Sequence, residues 1–163
     1  MPRLFIMCGI PGSGKTYLAN KYLKNNNVQY ISRDEIRFSI IKENEEYFSH
    51  EKEVFKKFAE AIAQTLINGF DAIADATHLN HFSRDKLIRA IDQYITDYTI
   101  EYVVADTSLD LCMKRNASRK GRARVPDVIM YRMAKSFEDI TNDERAAPRV
   151  WGTFHWNGVI DYE

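Results

Sequence analysis

Cysteine is nearly absent: Cys8 and Cys112 are the only 2 in 163 residues. Two cysteines cannot make a disulfide framework, and these show no metal-ligand spacing. Long apolar runs are missing as well. Leu4 to Cys8 is the longest and is too short for a signal peptide or a membrane span. Only 4 prolines and 7 glycines occur, which excludes collagen-like and low-complexity chains. Charge of one sign is lacking too, with Lys+Arg and Asp+Glu both at 23. Net charge therefore says nothing about an anionic partner, and only local clustering can. These absences lead us to expect a cytoplasmic protein without membrane contact.

What is present is a globular composition, 45% hydrophobic and 28% charged, in a 19.0 kDa chain. That is the size of one domain able to bury a core unaided. Apolar strand-like runs alternate with amphipathic stretches, the pattern of an α/β fold with a parallel sheet wrapped by helices. Strands are predicted at 4–8, 30–32, 71–75 and 99–105. Helical stretches are predicted at about 15–24, 50–68 (ended by Gly69), from Ser83 as a cap, from Ser108 as a cap toward 118, and from Pro126 through Phe137. Near the end, Asn157-Gly158 between Trp151–Trp156 and Val159–Tyr162 is a hairpin signal, with a terminal strand reached by an irregular approach as the alternative. No repeat or linker marks a second domain, so one domain over 1–163 is expected.

The glycines are concentrated. Gly9-Ile10-Pro11-Gly12-Ser13-Gly14-Lys15-Thr16 fits the phosphate-binding pattern G-x-x-x-x-G-K-[ST] and lies between a buried strand and a helix start. Glycines let backbone N–H groups turn inward around phosphate oxygens, and the helix N-terminus adds its positive end. Lys15 can reach the β- and γ-phosphates, and the Thr16 hydroxyl can ligate Mg²⁺. By chance the match arises in roughly one such chain per few hundred at average residue frequencies. The residues therefore specify a nucleotide site with a Mg²⁺ ligand in Thr16.

Three further groups cluster around this loop in the expected topology. Asp75 ends the third strand, where a carboxylate supports Mg²⁺, although strand-end Asp is also common in turns. Asp34 and Arg37 follow the second strand one helical turn apart. They read either as an acceptor-facing pair or as the capped, acidic start of a helix. Lys114, Arg115, Arg119, Lys120, Arg122 and Arg124 form a basic lid over about 114–126. No acid lies between Asp110 and Asp127. An exposed basic face or a polyanion-binding strip gives the same pattern. His78 and His81 read as loop histidines near the nucleotide rather than as metal ligands. Phe55, Phe58, Phe70 and Phe82 read as core.

The combination G-I-P-G-S-G-K-T, S-R-D-E-I-R, D-A-T-H-L-N and K-R-N-A-S-R-K-G-x-x-x-V-P resembles the kinase half of phage-type polynucleotide 5′-kinases. More broadly it resembles the small P-loop kinases around them. The likeness runs from about Leu4 to Glu138. It implies a P-loop NTPase-type sheet and transfer of the ATP γ-phosphoryl group to a 5′-hydroxyl of DNA or RNA. It also implies roles: Gly9, Pro11, Gly12, Ser13, Gly14, Lys15 and Thr16 around the phosphates and Mg²⁺, and Asp34 as general base. Arg37 would touch the acceptor's phosphate, with Asp75 beside it, and Arg119, assisted by Arg115, would act on the transferring group. The chain departs from the pattern in the offset of Asp75 and in one extra lid residue before Gly121, which makes Lys120 a rival to Arg119. Residues 139–163 match nothing in the family pattern. A kinase of a nucleoside or other small hydroxylated metabolite, or a nucleotide-gated binding module, would share the nucleotide-binding features.

Overall fold

The computed structural model describes residues 1–160. Five parallel strands, β1 (Arg3–Cys8), β2 (Val28–Ser32), β3 (Asp71–Asp75), β4 (Thr99–Ala105) and β5 (Val150–Trp156), form one sheet in the order β2-β3-β1-β4-β5. The central strand β1 is apolar from Leu4 to Cys8 because both its faces are covered there. Leu4, Ile6 and Cys8 pack under α3 (Glu51–Ile67) and α4 (His81–Asp92), against Phe58, Ile62, Leu66, Leu87 and Ile91. Phe5 and Met7 face the other layer, against Leu18 and Ala19. That layer is α1 (Lys15–Leu18), which continues as a π-helical turn over Ala19–Leu23. The remaining helices are α2 (Arg33–Ile40), α5 (Leu109–Ala117), α6 (Asp127–Ser136) and α7 (Asn142–Ala146).

Local signals account for most boundaries. Ser32 and Ser108 cap α2 and α5 by accepting from Glu35 N (3.2 Å) and Leu111 N (3.3 Å). Gly69, with φ +85°, takes the left-handed position after α3. Four expectations need correction. The cap of α4 is Asn80, and Ser83 is its capping-box partner three residues on. Phe82 is not core but 73% exposed. Pro126 is the N-cap of α6, one residue before its first turn. Asn157-Gly158 joins no hairpin among the described residues: Trp151–Trp156 belongs to β5, paired parallel to β4 with a register irregularity at Ile100/Glu101. Asp161 and Tyr162, in the expected second arm, lie outside the described residues. Residues 139–160, unplaced by motif, thus supply a helix and an edge strand.

Candidate active site

The site lies beyond the carboxyl ends of the parallel strands, where such sheets bind ligands. The phosphate-binding loop leaves β1 in the middle of the sheet. The Gly9 N–H donates to Thr77 O at 2.9 Å, tying the loop to the end of β3. On its other side Thr107 Oγ1 donates to Ser13 O at 2.6 Å. Arg115 bridges Gly12 O (3.2 Å) and Gly158 O (2.6 Å). Gly14 sits at φ +90° as the N-cap of α1, and a Cβ there would lie 2.8 Å from the Trp156 ring. Trp156 in turn stacks on Tyr17, with centroids 6.0 Å apart. The first N–H groups of α1 lack intrahelical acceptors by construction and point into the loop. Inside the loop, the Ser13 hydroxyl is buried without a partner. An unpartnered hydroxyl in a glycine-rich loop at a helix start fits phosphate oxygens.

Lys15 Nζ donates to Gly9 O (2.9 Å) and Ile10 O (3.2 Å), folded across the loop. Burial pushes its ammonium pKa down. The charges of Asp75 and Asp34 oppose that shift, and Arg119 adds to it. Both acids and Arg119 are therefore within electrostatic reach of Lys15, and the topology gathers the predicted residues at one end of the sheet. Thr16 Oγ1 donates to Asp75 Oδ2 at 3.1 Å. Tyr30, which the sequence reading did not single out, donates to the same carboxylate oxygen. Burial, and then the Asp75 charge, hold the Tyr30 phenol protonated well above its ordinary pKa. A hydroxyl beside a carboxylate is a hard-oxygen donor set that suits Mg²⁺. Among the described residues no cluster of three or more His, Cys, Asp or Glu could cage a metal, so waters and phosphate oxygens would complete the shell.

Asp34 and Arg37 are paired with each other. Arg37 Nη1 contacts Asp34 Oδ1 and donates to Tyr47 Oη at 2.7 Å, and Tyr47 donates to the same Asp34 oxygen. Glu51, the first residue of α3, takes Arg37 Nε at 2.7 Å and Arg33 Nη2 at 2.8 Å. The consequence is asymmetric: the Arg37 side chain is 5% exposed and fully engaged, whereas Asp34 remains 57% exposed. Capping and site placement coincide here, since Ser32 caps α2 and Asp34 still faces outward. Tyr47 and Glu51 went unread because only the tertiary fold brings them to Arg37.

The basic segment runs from the end of α5 through a 3₁₀ turn, Gly121–Ala123. Lys114, Arg119, Lys120, Arg122 and Arg124 are exposed, and Arg115 is half-buried. Arg122 lies over the Phe38 ring at 4.5 Å. Asn116, buried in α5, holds the far end of the segment through Val125, at 2.7 Å and 3.0 Å. The histidines part company: His81 pairs with Glu138 at the start of α4, at 2.6 Å, while His78 is buried beneath the loop. Arg84, fully buried in α4, binds Glu144 of α7 at 2.7 Å and 3.0 Å and the carbonyl of His78 at 2.9 Å. It anchors residues 78–84 to the C-terminal region.

A sequence-family model described as an AAA domain matches residues 4–140, most of the chain, and it is a family of P-loop kinases. This chain belongs to that family. Its α/β fold is the P-loop NTPase type. Compared by sequence with curated proteins, it matches none. Among solved structures, a chain of the Pnkp1/Rnl/Hen1 RNA repair complex is similar with a TM-score of 0.70 and 22% identity over 83% of this chain. This chain spans 43% of that one. A sugar kinase from Janibacter sp. HTCC2649 is similar with a TM-score of 0.69 and 16% identity, covering 97% of this chain and 86% of its own. A fungal RNA kinase gives 0.68 and 13%, covering 98% and 76%. At these identities the likeness establishes the fold. No helix among the described residues is long and apolar enough to cross a membrane.

Proposed function

We propose that this protein is an ATP-dependent phosphotransferase that passes the γ-phosphoryl group to the 5′-hydroxyl end of DNA or RNA. The observation that carries the reading is Asp34, a carboxylate held by Arg37 and Tyr47, open to solvent, and within electrostatic reach of Lys15. A nucleotide-gated binding module has no use for such a group, whereas a kinase needs one to accept the hydroxyl proton. In the transfer, the acceptor oxygen bonds to the γ-phosphorus while the bond to the bridging β–γ oxygen breaks, and the proton passes to Asp34. Lys15 and the loop N–H groups hold the phosphates, and Arg119, with Arg115 beside the loop, meets the charge of the transferring group. Thr16 and Asp75 would hold Mg²⁺, which when bound neutralises charge on the β- and γ-oxygens. Arg37 serves first to orient Asp34, and it would meet an acceptor's phosphate only by turning from Glu51.

Five exposed cations between Lys114 and Arg124 support a polyanionic acceptor, as do the RNA-repair and RNA-kinase neighbours. A second reading, a kinase of a small hydroxylated metabolite, is favoured by the full-length match to a sugar kinase. Incubation with γ-labelled ATP and a panel of 5′-OH DNA, 5′-OH RNA, nucleosides and sugars separates the two. Label on oligonucleotide ends is expected, and label on sugars alone would establish the second reading.

A further inference from the structure

Beside Asp34 the protein exposes an aromatic ring. Phe48 is 51% exposed. It stands edge-on to Tyr47, with centroids 4.6 Å apart and planes at 85°, and Tyr47 is the residue that donates to Asp34. The Arg37 guanidinium lies over both rings, 4.2 Å from Tyr47 and 5.6 Å from Phe48. From the other side the basic segment reaches the same aromatic group. Arg122 covers Phe38, whose ring is 6.0 Å from Tyr47, and Arg122 donates to Ile41 O at 3.4 Å. The result is a half-exposed ring beside the Arg37 guanidinium, one side chain away from the open carboxylate.

Aromatic faces interleaved with cations are how proteins hold single-stranded nucleic acid, the ring taking a base and the cations the backbone. We infer that Phe48 is the stacking surface for the terminal base of the acceptor strand and selects nucleic-acid ends over smaller hydroxyl acceptors. The inference rests on the polynucleotide reading and deepens it. A base seated on Phe48 presents its own 5′-hydroxyl toward Asp34, with the next phosphates toward the basic segment. Stacking is tolerant of base identity because every base has a π-face, so little sequence preference is expected at this position.

The test is a cycle of two proteins and two acceptors. Wild type and Phe48→Ala are assayed on a short 5′-OH oligonucleotide and on the same strand with an abasic 5′-terminal nucleotide, which keeps the hydroxyl and every phosphate. For wild type, KM should be about tenfold or more lower with the base present, the usual worth of one stacked base. Phe48→Ala should remove that advantage with little change in kcat, and Phe48→Trp should restore it. A loss shared equally by both acceptors would assign Phe48 to supporting Tyr47 and Asp34 and overturn the inference. An unchanged KM ratio in Phe48→Ala would overturn it while leaving the polynucleotide reading intact. No transfer by wild type to either oligonucleotide would sink that reading and the inference with it.

Discussion

Trp156 closes over Gly14: a Cβ on that glycine would meet the indole ring at 2.8 Å. The phosphate-binding loop of the amino-terminal third is thus shaped by the last residue of β5. Arg115 reinforces the same join by bonding the loop at Gly12 and the tail at Gly158. The carboxy-terminal strand is therefore part of the nucleotide site although it carries no motif.

This relationship separates two glycines of similar backbone. Gly14 and Gly69 have φ of +90° and +85°, but a Cβ at Gly69 meets nothing within 4 Å. Gly69→Ala should cost only the left-handed backbone term, about 1–2 kcal/mol in chemical denaturation, with ATP affinity unchanged. Gly14→Ala should additionally displace Trp156 and abolish measurable ATP binding. Equal effects of the two substitutions on ATP binding would mean that the ring does not shape the loop.

Arg119 and Lys120 compete for the role at the transferring group. Among neighbouring cations, Arg119 is the one that most lowers the Lys15 pKa. Arg119→Ala should lower kcat more than it raises the KM for ATP, since the charge it meets develops during transfer. A loss on the order of 10³-fold is expected if it is the group that stabilises transfer. Lys120→Ala should cost under about tenfold, since an exposed lysine is screened by solvent. Steady-state kinetics on both variants decides, and a larger loss for Lys120→Ala would reverse the assignment.

The sequence displays its fold where local and global demands agree. The runs at 71–75 and 99–105 coincide with β3 and β4 because apolar stretches bounded by polar residues leave one reading. The four-residue spacing of Val54, Phe58, Ile62 and Leu66 fixes α3 in the same way. It misleads where a local signal loses to tertiary pairing. Asn157-Gly158 has hairpin chemistry, but β4 supplies a whole edge for β5, so the chain pairs there. Helix α7 was missed because its five residues bury none of their side chains, leaving only the Thr141–Glu144 capping box as a signal. Within the site, the phosphate-binding loop is contiguous and legible. The Tyr30–Asp75 contact joins residues 45 apart, and no spacing rule encodes it.

His78 should make stability depend on pH. Its ring is 4% exposed, with Nδ1 against Met7 O at 2.5 Å and Nε2 buried without a partner. A carbonyl only accepts, so Nδ1 carries the proton of the neutral ring. Burial pushes its pKa down to about 3, and the charges of Arg33, Lys15 and Arg84 push the same way. The unfolded histidine titrates near about 6.5, so between those values the unfolded state binds more protons. The contribution of the neutral ring is complete above the unfolded pKa and drains as pH falls toward the folded one. The slope is up to about 1.4 kcal/mol per pH unit. His78 sits at φ +42°, a conformation asparagine accepts, so His78→Asn is compatible with the backbone. Urea midpoints at pH 7 and pH 5 should differ clearly less in His78→Asn than in wild type. An undiminished difference would assign the pH dependence to other groups.

The two carboxylates of the site should fail in different ways. Asp34 is open to solvent and held by Arg37 and Tyr47, which leaves it free to take a proton from an incoming hydroxyl. Asp75 is 7% exposed and bonded by Thr16 and Tyr30, which points it at the phosphate side of the site. In the loose transition state of phosphoryl transfer the base mainly orients the attacking oxygen and takes its proton late. Asp34→Asn keeps the shape and most hydrogen bonds but cannot accept that proton. It should bind ATP and require Mg²⁺ as wild type does, while single-turnover transfer falls by roughly 10²–10⁴-fold. Asp75→Asn should instead raise the Mg²⁺ concentration needed for half-maximal transfer, and saturating Mg²⁺ should restore much of the rate. ATP binding, Mg²⁺ titration and single-turnover transfer on both variants separate the roles. Transfer within tenfold of wild type would end the candidacy of Asp34, and a Mg²⁺ defect there with none at Asp75 would exchange the two assignments.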